Sequence, residues 1–204
     1  MIIEINPDNI DDRLISQATQ VLKSGGVIIF PTDTVYAMGC DLLSKKGLNE
    51  MAKLKNTKLS KSNFSIICHD LSNLSDYVKQ IDRPTFKLLK QNLPGPFTFI
   101  LNATNEISRV FDSNKKEIGI RIPNNKIVLR LVASLGNPIA VTSLHNEQDT
   151  LLDYFADPYA IYEQMDDKVD LIIDGGFGRL EGSTVVDCTS GEHKILRQGL
   201  GILD

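Results

Sequence analysis

The feature that most constrains this chain is a four-residue apolar run, Val27, Ile28, Ile29 and Phe30, that meets Pro31. β-Branched and aromatic side chains suit a buried pleated strand. Proline has no N–H for a ladder and so ends it. Beyond the stop, Thr32, Asp33, Thr34 and Tyr36 alternate with Val35, Ala37 and Met38, and the run continues through Gly39 to Cys40. Hydroxyls and a carboxylate are thus presented from a rigid strand end, where open α/β sheets hold small polar ligands. Taken alone, the segment is more simply a Thr-rich turn between two strands.

The rest of the chain alternates short apolar strands with amphipathic helices. Asp8 or Asn9 is expected to cap a first helix bearing Leu14, Ile15, Ala18, Val21 and Leu22, which stops at Gly25 and Gly26. Further helices are predicted over 47–56, 71–78, 83–91 and 127–135, with two more pieces in the acidic stretch 147–174. Strands are predicted over 64–68, 97–101, 118–122, 139–142, 170–173, 184–187 and 194–197. The loop Leu93, Pro94, Gly95, Pro96 punctuates the middle. This pattern means α/β with a mixed sheet, in one domain spanning 1–204. No G-x-G-x-x-G joins a strand to a helix, and neither Gly25-Gly26 nor Gly175-Gly176 leads into a P-loop. Any nucleotide must be held by another device.

Composition narrows the function. Three scattered cysteines (Cys40, Cys68, Cys188) and three scattered histidines (His69, His145, His193) make neither a disulfide framework nor a readable metal cage. The N-terminus lacks a basic-then-apolar signal form, and no apolar run approaches ~20 residues, so a cytoplasmic location without membrane contact is expected. A net charge of −4 argues against a generic nucleic-acid binder, but the charge is uneven. Six lysines (45, 46, 53, 55, 58, 61) face one acid, Glu50, whereas 147–174 carries nine acids against Lys168. A local positive field suits a bound anion such as a nucleotide phosphate; equally, lysines solvate the outer face of many helices.

At this point the order of the motifs is informative. The run 23–40 (KSGGVIIFPTDTVYAMGC) resembles the opening signature of the YrdC-like family, the threonylcarbamoyl-AMP synthases of transfer-RNA modification. The likeness continues through LPGPFTF (93–99), IGIRIP (118–123), PIAVTS (138–143), VDLIIDGG (169–176), GSTVVD (182–187) and ILR (195–197). NFSIICHDLS (63–72) and RLISQA (13–18) resemble the YciO branch. The resemblance implies a twisted mixed sheet with flanking helices and a concave, positively charged groove. It also implies a reaction in which L-threonine, bicarbonate and ATP, with Mg²⁺ on the triphosphate, give threonylcarbamoyl-AMP and pyrophosphate. Carried over by motif, Thr32 would contact threonine, Arg121 its carboxylate, and Val141 would line the same pocket. Lys55, Asn63, Ser143, Ser183 and Arg197 would face the nucleotide, with Lys55, Arg121 and Ser183 serving the chemistry. No protein-bound metal site is implied.

These residue types fit that chemistry. A carbamate is already an anionic nucleophile, so the barrier lies in uniting two anions and stabilising charge on the α-phosphate. Arginine and lysine neutralise phosphates, and arginine clamps a carboxylate bidentately. Arg121 in mid-strand would otherwise need a structural counter-ion such as Asp33. The chain departs from the family pattern at Thr57, where the synthases carry the arginine of Lys-x-Arg, and at Cys68, Glu117 and Leu144-His145. Those departures imply a weaker triphosphate grip and an adenylate either made slowly or processed, for instance by hydrolysis. A rival reading is a non-catalytic double-stranded-RNA-binding module that uses the lysine cluster, with steep salt dependence. Only 6% aromatic residues count against base stacking in that rival. Either a monomer or a homodimer is compatible with the sequence.

Overall fold

A computed structural model of the chain describes residues 1–144 and 155–203. One twisted ten-stranded sheet runs through them, in the order β1-β8-β2-β3-β7-β4-β6-β5-β9-β10. Its strands are β1 (Ile2–Glu4), β2 (Ile28–Phe30), β3 (Ala37–Asp41), β4 (Ser65–Ile67), β5 (Phe97–Asn102), β6 (Glu117–Arg121), β7 (Ile139–Ser143), β8 (Leu171–Asp174), β9 (Thr184–Asp187) and β10 (Lys194–Arg197). The sheet is mixed: β2–β3, β3–β7, β4–β7, β5–β6 and β9–β10 pair antiparallel, whereas β1–β8, β2–β8, β4–β6 and β5–β9 are parallel.

Six α-helices flank it: α1 (Asp12–Lys23), α2 (Lys45–Leu54), α3 (Arg83–Asn92), α4 (Asn105–Val110), α5 (Lys126–Leu135) and α6 (Pro158–Met165). Helix α1 starts later than expected. Asp11, not Asp8 or Asn9, supplies the cap, its carboxylate accepting from Arg13 N at 2.9 Å. Helix α2 starts two residues earlier than Gly47 because the Ser44 hydroxyl accepts from Gly47 N. The helix expected over 71–78 reduces to one 3-10 turn, Leu74–Asp76. Asp70 Oδ1 takes the Ser72 N–H at 2.7 Å, offering the backbone an alternative to a helical bond. Of the helical pieces expected between 147 and 174, α6 is present, and positions 145–154 lie outside the described residues.

The period of two along each strand decides which face a side chain serves. Ile66, Phe99, Ile120, Ala140 and Val186 point to one face, where α2, α3, α4 and α6 cover them with Met51, Leu89, Ile107 and Ile161. On the opposite face α1 and α5 pack through Ile15, Ala18, Leu22, Val128, Leu131 and Leu135, but only over the half containing β8, β2, β3, β7 and the end of β4. Helix α5 is held at both ends. Asn125 Oδ1 accepts from Ile127 N and Val128 N, and Gly136 closes it in the left-handed region at φ 81°, where a Cβ would be strained. The other half of this face, over β4, β6, β5, β9 and β10, carries no helix among the described residues. That uncovered half is where the site lies.

Candidate functional site

On the bare half of the sheet several of the alternating positions, Ser65, Thr98 and Gly119, are small or polar, beside the aliphatic Ile100, Val141 and Val185. Ser65 on β4 lies beside Gly119 on β6, each one residue before the paired Ile66 and Ile120, and Thr98 on β5 is the diagonal neighbour of Gly119, whose direct partner is Ile100. A Cβ at Gly119 would sit 2.4 Å from Ser65 Oγ and 3.0 Å from Thr98 Cγ2. Glycine therefore lets the floor dip. The result is a cavity of about 400 Å³, the size of a small-ligand site.

Six of the eight residues singled out in the sequence line this cavity: Asn63, Arg121, Val141, Ser143, Ser183 and Arg197. Ser183 is buried, and its hydroxyl meets Thr98 Oγ1 at 2.7 Å. Arg197, on the edge strand β10, donates from Nη2 to Ser183 O at 2.8 Å, which turns an otherwise exposed side chain toward the floor.

Arg121 is the centre of the arrangement. It is only 6% exposed, yet lines the cavity. Its Nη2 donates to Asp33 Oδ1 at 3.2 Å and Thr34 Oγ1 at 3.0 Å. Its Nε, buried as well, has no hydrogen-bond partner among the described residues. Burial pulls the guanidinium down from its ordinary pKa; Asp33 opposes the shift, and the nearby positive charge of Arg197 reinforces it. A buried cation with an idle donor and a like charge beside it is a costly combination that an anion in the cavity would relieve.

The remaining two residues are not among those that line the cavity. Thr32 does not line the cavity: its hydroxyl donates to Val35 O at 2.7 Å and accepts from Thr34 N at 3.0 Å. Its oxygen also lies 3.1 Å from Thr34 Oγ1, so it buttresses the hydroxyl that holds Arg121. The tight turn after Pro31 consumes Thr32 internally. Lys55 caps the C-terminus of α2 and is not among the cavity-lining residues; that helix packs on the other face of the sheet. The rest of the lysine cluster behaves as a solvated face with local partners. Lys45 pairs with Asp112, Lys46 donates to Ser24 O at 3.3 Å, and Lys53 pairs with Glu50 at 3.0 Å.

Two neighbouring features complete the wall. The Asp33 carboxylate also accepts from Asn124 N at 2.9 Å, and Asn125 Nδ2 donates to Thr32 O, so the loop after β2 is bolted to the start of α5. Tyr36, fully buried, donates to Gly176 O at 2.7 Å and accepts from Gly175 N, while burial pushes its phenol up to about 12. Tyr36 and Asp33 thus brace the loops around the site.

Sequence reasoning missed Lys115. It lines the cavity and donates from Nζ to Ser62 O at 3.1 Å and Phe64 O at 3.2 Å, with the Phe111 ring centroid 4.8 Å away. Burial pushes its ammonium down to about 8. The folded state therefore releases this proton before the unfolded chain does, which holds it until about 10.5. Between those values the unfolded chain binds more protons, so the contribution of Lys115 to stability rises with pH. Thermal melts from about pH 7.5 to 9.5 are expected to show the wild type gaining on Lys115→Met across that interval.

Among the described residues the cavity gathers three cations, Lys115, Arg121 and Arg197, against one lining carboxylate, Glu117. A roomier and more open hollow beside β1 and β8, about 670 Å³, is lined by Glu4, Asp8, Asp157 and Asp174 and has the wrong sign for an anion. A smaller one, about 220 Å³, touches Cys68 and His69. Burial pushes that thiol up to about 12, so it is no nucleophile at neutral pH. Among the described residues no cluster of His, Cys, Asp and Glu could hold a metal ion, and no helix is long and apolar enough to cross a membrane.

A family model described as Telomere recombination (Sua5_yciO_yrdC) matches residues 20–199. The chain belongs to the Sua5/YciO/YrdC family. Among its relatives, a Haemophilus influenzae protein is 43% identical over 97% of this chain and 94% of its own length. Escherichia coli YciO is 38% identical with the same coverage, and its crystal structure superposes with a TM-score of 0.88 over 99% of this chain and 97% of that one. P. abyssi Sua5, crystallised in complex with L-threonine, also reaches 0.88, at 26% identity, over 98% of this chain and 57% of the longer Sua5 chain. The likeness to YciO thus runs end to end, whereas Sua5 extends beyond the shared fold. The expected YrdC-like architecture and the assignment to the YciO branch of the Sua5/YciO/YrdC family are both met.

Proposed function

We propose that the cavity binds L-threonine together with ATP, or their joint product threonylcarbamoyl-AMP, and that the protein either makes this adenylate slowly or hydrolyses it. The observation that carries the reading is Arg121: a buried guanidinium aimed at a cavity, with an idle Nε and a repelling neighbour in Arg197. Membership of a family in which Sua5 is seen with L-threonine supports the same choice of ligand.

In this reading Arg121 takes the threonine carboxylate, and Thr34 and Asp33 hold its planar fork in place. The backbone of β7 at Val141 forms the adjoining wall. Threonine nitrogen and bicarbonate condense to a carbamate with loss of water. A carbamate oxygen then attacks the α-phosphorus of ATP, forming the new P–O bond as the bond to pyrophosphate breaks. Asn63, Ser143, Ser183 and Arg197 are assigned to the nucleotide, where hydroxyl and guanidinium donors offset charge on the phosphoryl oxygens. Mg²⁺ arrives on the triphosphate as part of the substrate. In the hydrolytic alternative, water attacks the phosphorus of the bound adenylate, the P–O bond to the carbamate breaks, and AMP and the carbamate leave. Lys55 carries no role in this arrangement, and Thr32 acts one hydrogen bond removed, through Thr34.

Pure protein given ATP, L-threonine and bicarbonate is expected to release pyrophosphate with threonine dependence. Supplied with threonylcarbamoyl-AMP, it is expected to bind it or to yield AMP. Neither binding nor turnover of the adenylate would contradict the proposal in both its forms.

A further inference from the structure

Strand β6 and the residues just before it carry a cation at each end of the cavity floor. Arg121 ends the strand, and Lys115 precedes it by six residues, at most about 20 Å of extended chain. The Lys115 backbone is fixed on both sides: its N–H donates to Ser113 Oγ at 3.2 Å, and its carbonyl accepts from Ser108 Oγ at 2.8 Å. Two of its three ammonium protons are used on Ser62 O and Phe64 O. Among the described residues no carboxylate pairs with it and no third hydrogen-bond acceptor is present, the Phe111 ring being its one further contact. An ammonium partly stripped of water, with its rotamer already set and no counter-ion, is pre-organised for an external anion.

We infer that Lys115 holds the terminal phosphates of the nucleotide, while Arg121 holds the carboxylate of the amino acid at the opposite end. This assignment rests on the reading of the cavity as a site for threonine and a nucleotide. It gives the β- and γ-phosphates a cation at the end of the cavity away from Arg121. It also sets a preference: ATP and pyrophosphate reach Lys115, and AMP does not.

Calorimetric titration of the wild type, Lys115→Met and Lys115→Arg with Mg²⁺-ATP, AMP and L-threonine tests it. Lys115→Met is expected to lose about tenfold or more in ATP affinity, the scale of one charge-assisted hydrogen bond. AMP and L-threonine are expected to stay within about twofold, and Lys115→Arg to keep most of the ATP affinity. If Lys115→Met does not fold, Lys115→Gln, which still donates to a carbonyl, takes its place with the same expectation. Unchanged ATP affinity would overturn the assignment, and so would an equal fall for all three ligands, which marks a purely structural lysine. A wild type that binds none of the three fails the nucleotide reading itself, and Lys115 with it.

Discussion

Replacing Arg121 by Met is expected to abolish binding of the amino-acid ligand, by about a hundredfold or more, and to destabilise the fold by about 3 kcal/mol. The two effects have different origins. The binding loss comes from removing the planar donor pair that faces the cavity. The stability loss comes from Asp33, whose side chain is 9% exposed and would be left as a buried carboxylate without its cation. Asn124 N still donates to that carboxylate, but one neutral donor does not offset a buried charge. The double variant Asp33→Asn/Arg121→Met is therefore expected to recover most of the stability and none of the binding. Urea unfolding and calorimetry on the same samples separate the two. A single variant that loses binding without losing stability would mean the ion pair is not what holds Asp33 in place.

The second large effect is expected at Gly119. Any side chain there projects into the lowest part of the cavity floor, with its Cβ 2.4 Å from Ser65 Oγ. Gly119→Val is expected to weaken nucleotide binding by about thirtyfold or more, with a stability cost of about 1–3 kcal/mol from overpacking. Combining it with Ser65→Gly removes the nearest clash and is expected to restore part of the stability while the cavity stays blocked. Retained affinity in Gly119→Val would place the ligand elsewhere.

Much of this was legible in the chain because the deciding signals are local. Strand β2 was marked by four consecutive apolar residues, Val27 to Phe30, before a proline, and α5 by its apolar spacing between Asn125 and Gly136. Arg121 stood out as a charge inside an apolar strand. What stayed hidden depends on partners distant in sequence. Strand β1 is three residues that pair, among the described residues, with β8, some 170 residues later. Lys115 sits in a polar run, Ser113 to Glu117, where nothing nearby distinguishes one lysine from the next; its burial comes from Ser62 and Phe64, more than fifty residues back. Composition marks a hydroxyl as available, but only the turn geometry shows that the Thr32 hydroxyl donates to Val35 O.

Lys115 adds a cation to the cavity lining, and the hydroxyl that Arg121 donates to is that of Thr34. Glu117 remains the element of opposite sign, on the same strand as Arg121, and it lowers the net positive field that a triphosphate would meet.

A crystal structure of the protein soaked with L-threonine and ATP tests the central claim most directly. The account predicts the threonine carboxylate within hydrogen-bonding distance of the Arg121 guanidinium, and a phosphate between the Ser183 hydroxyl and Arg197. Ligand density on the α2 lysines, or in the hollow beside Cys68, with the Arg121 cavity holding neither molecule, would contradict it.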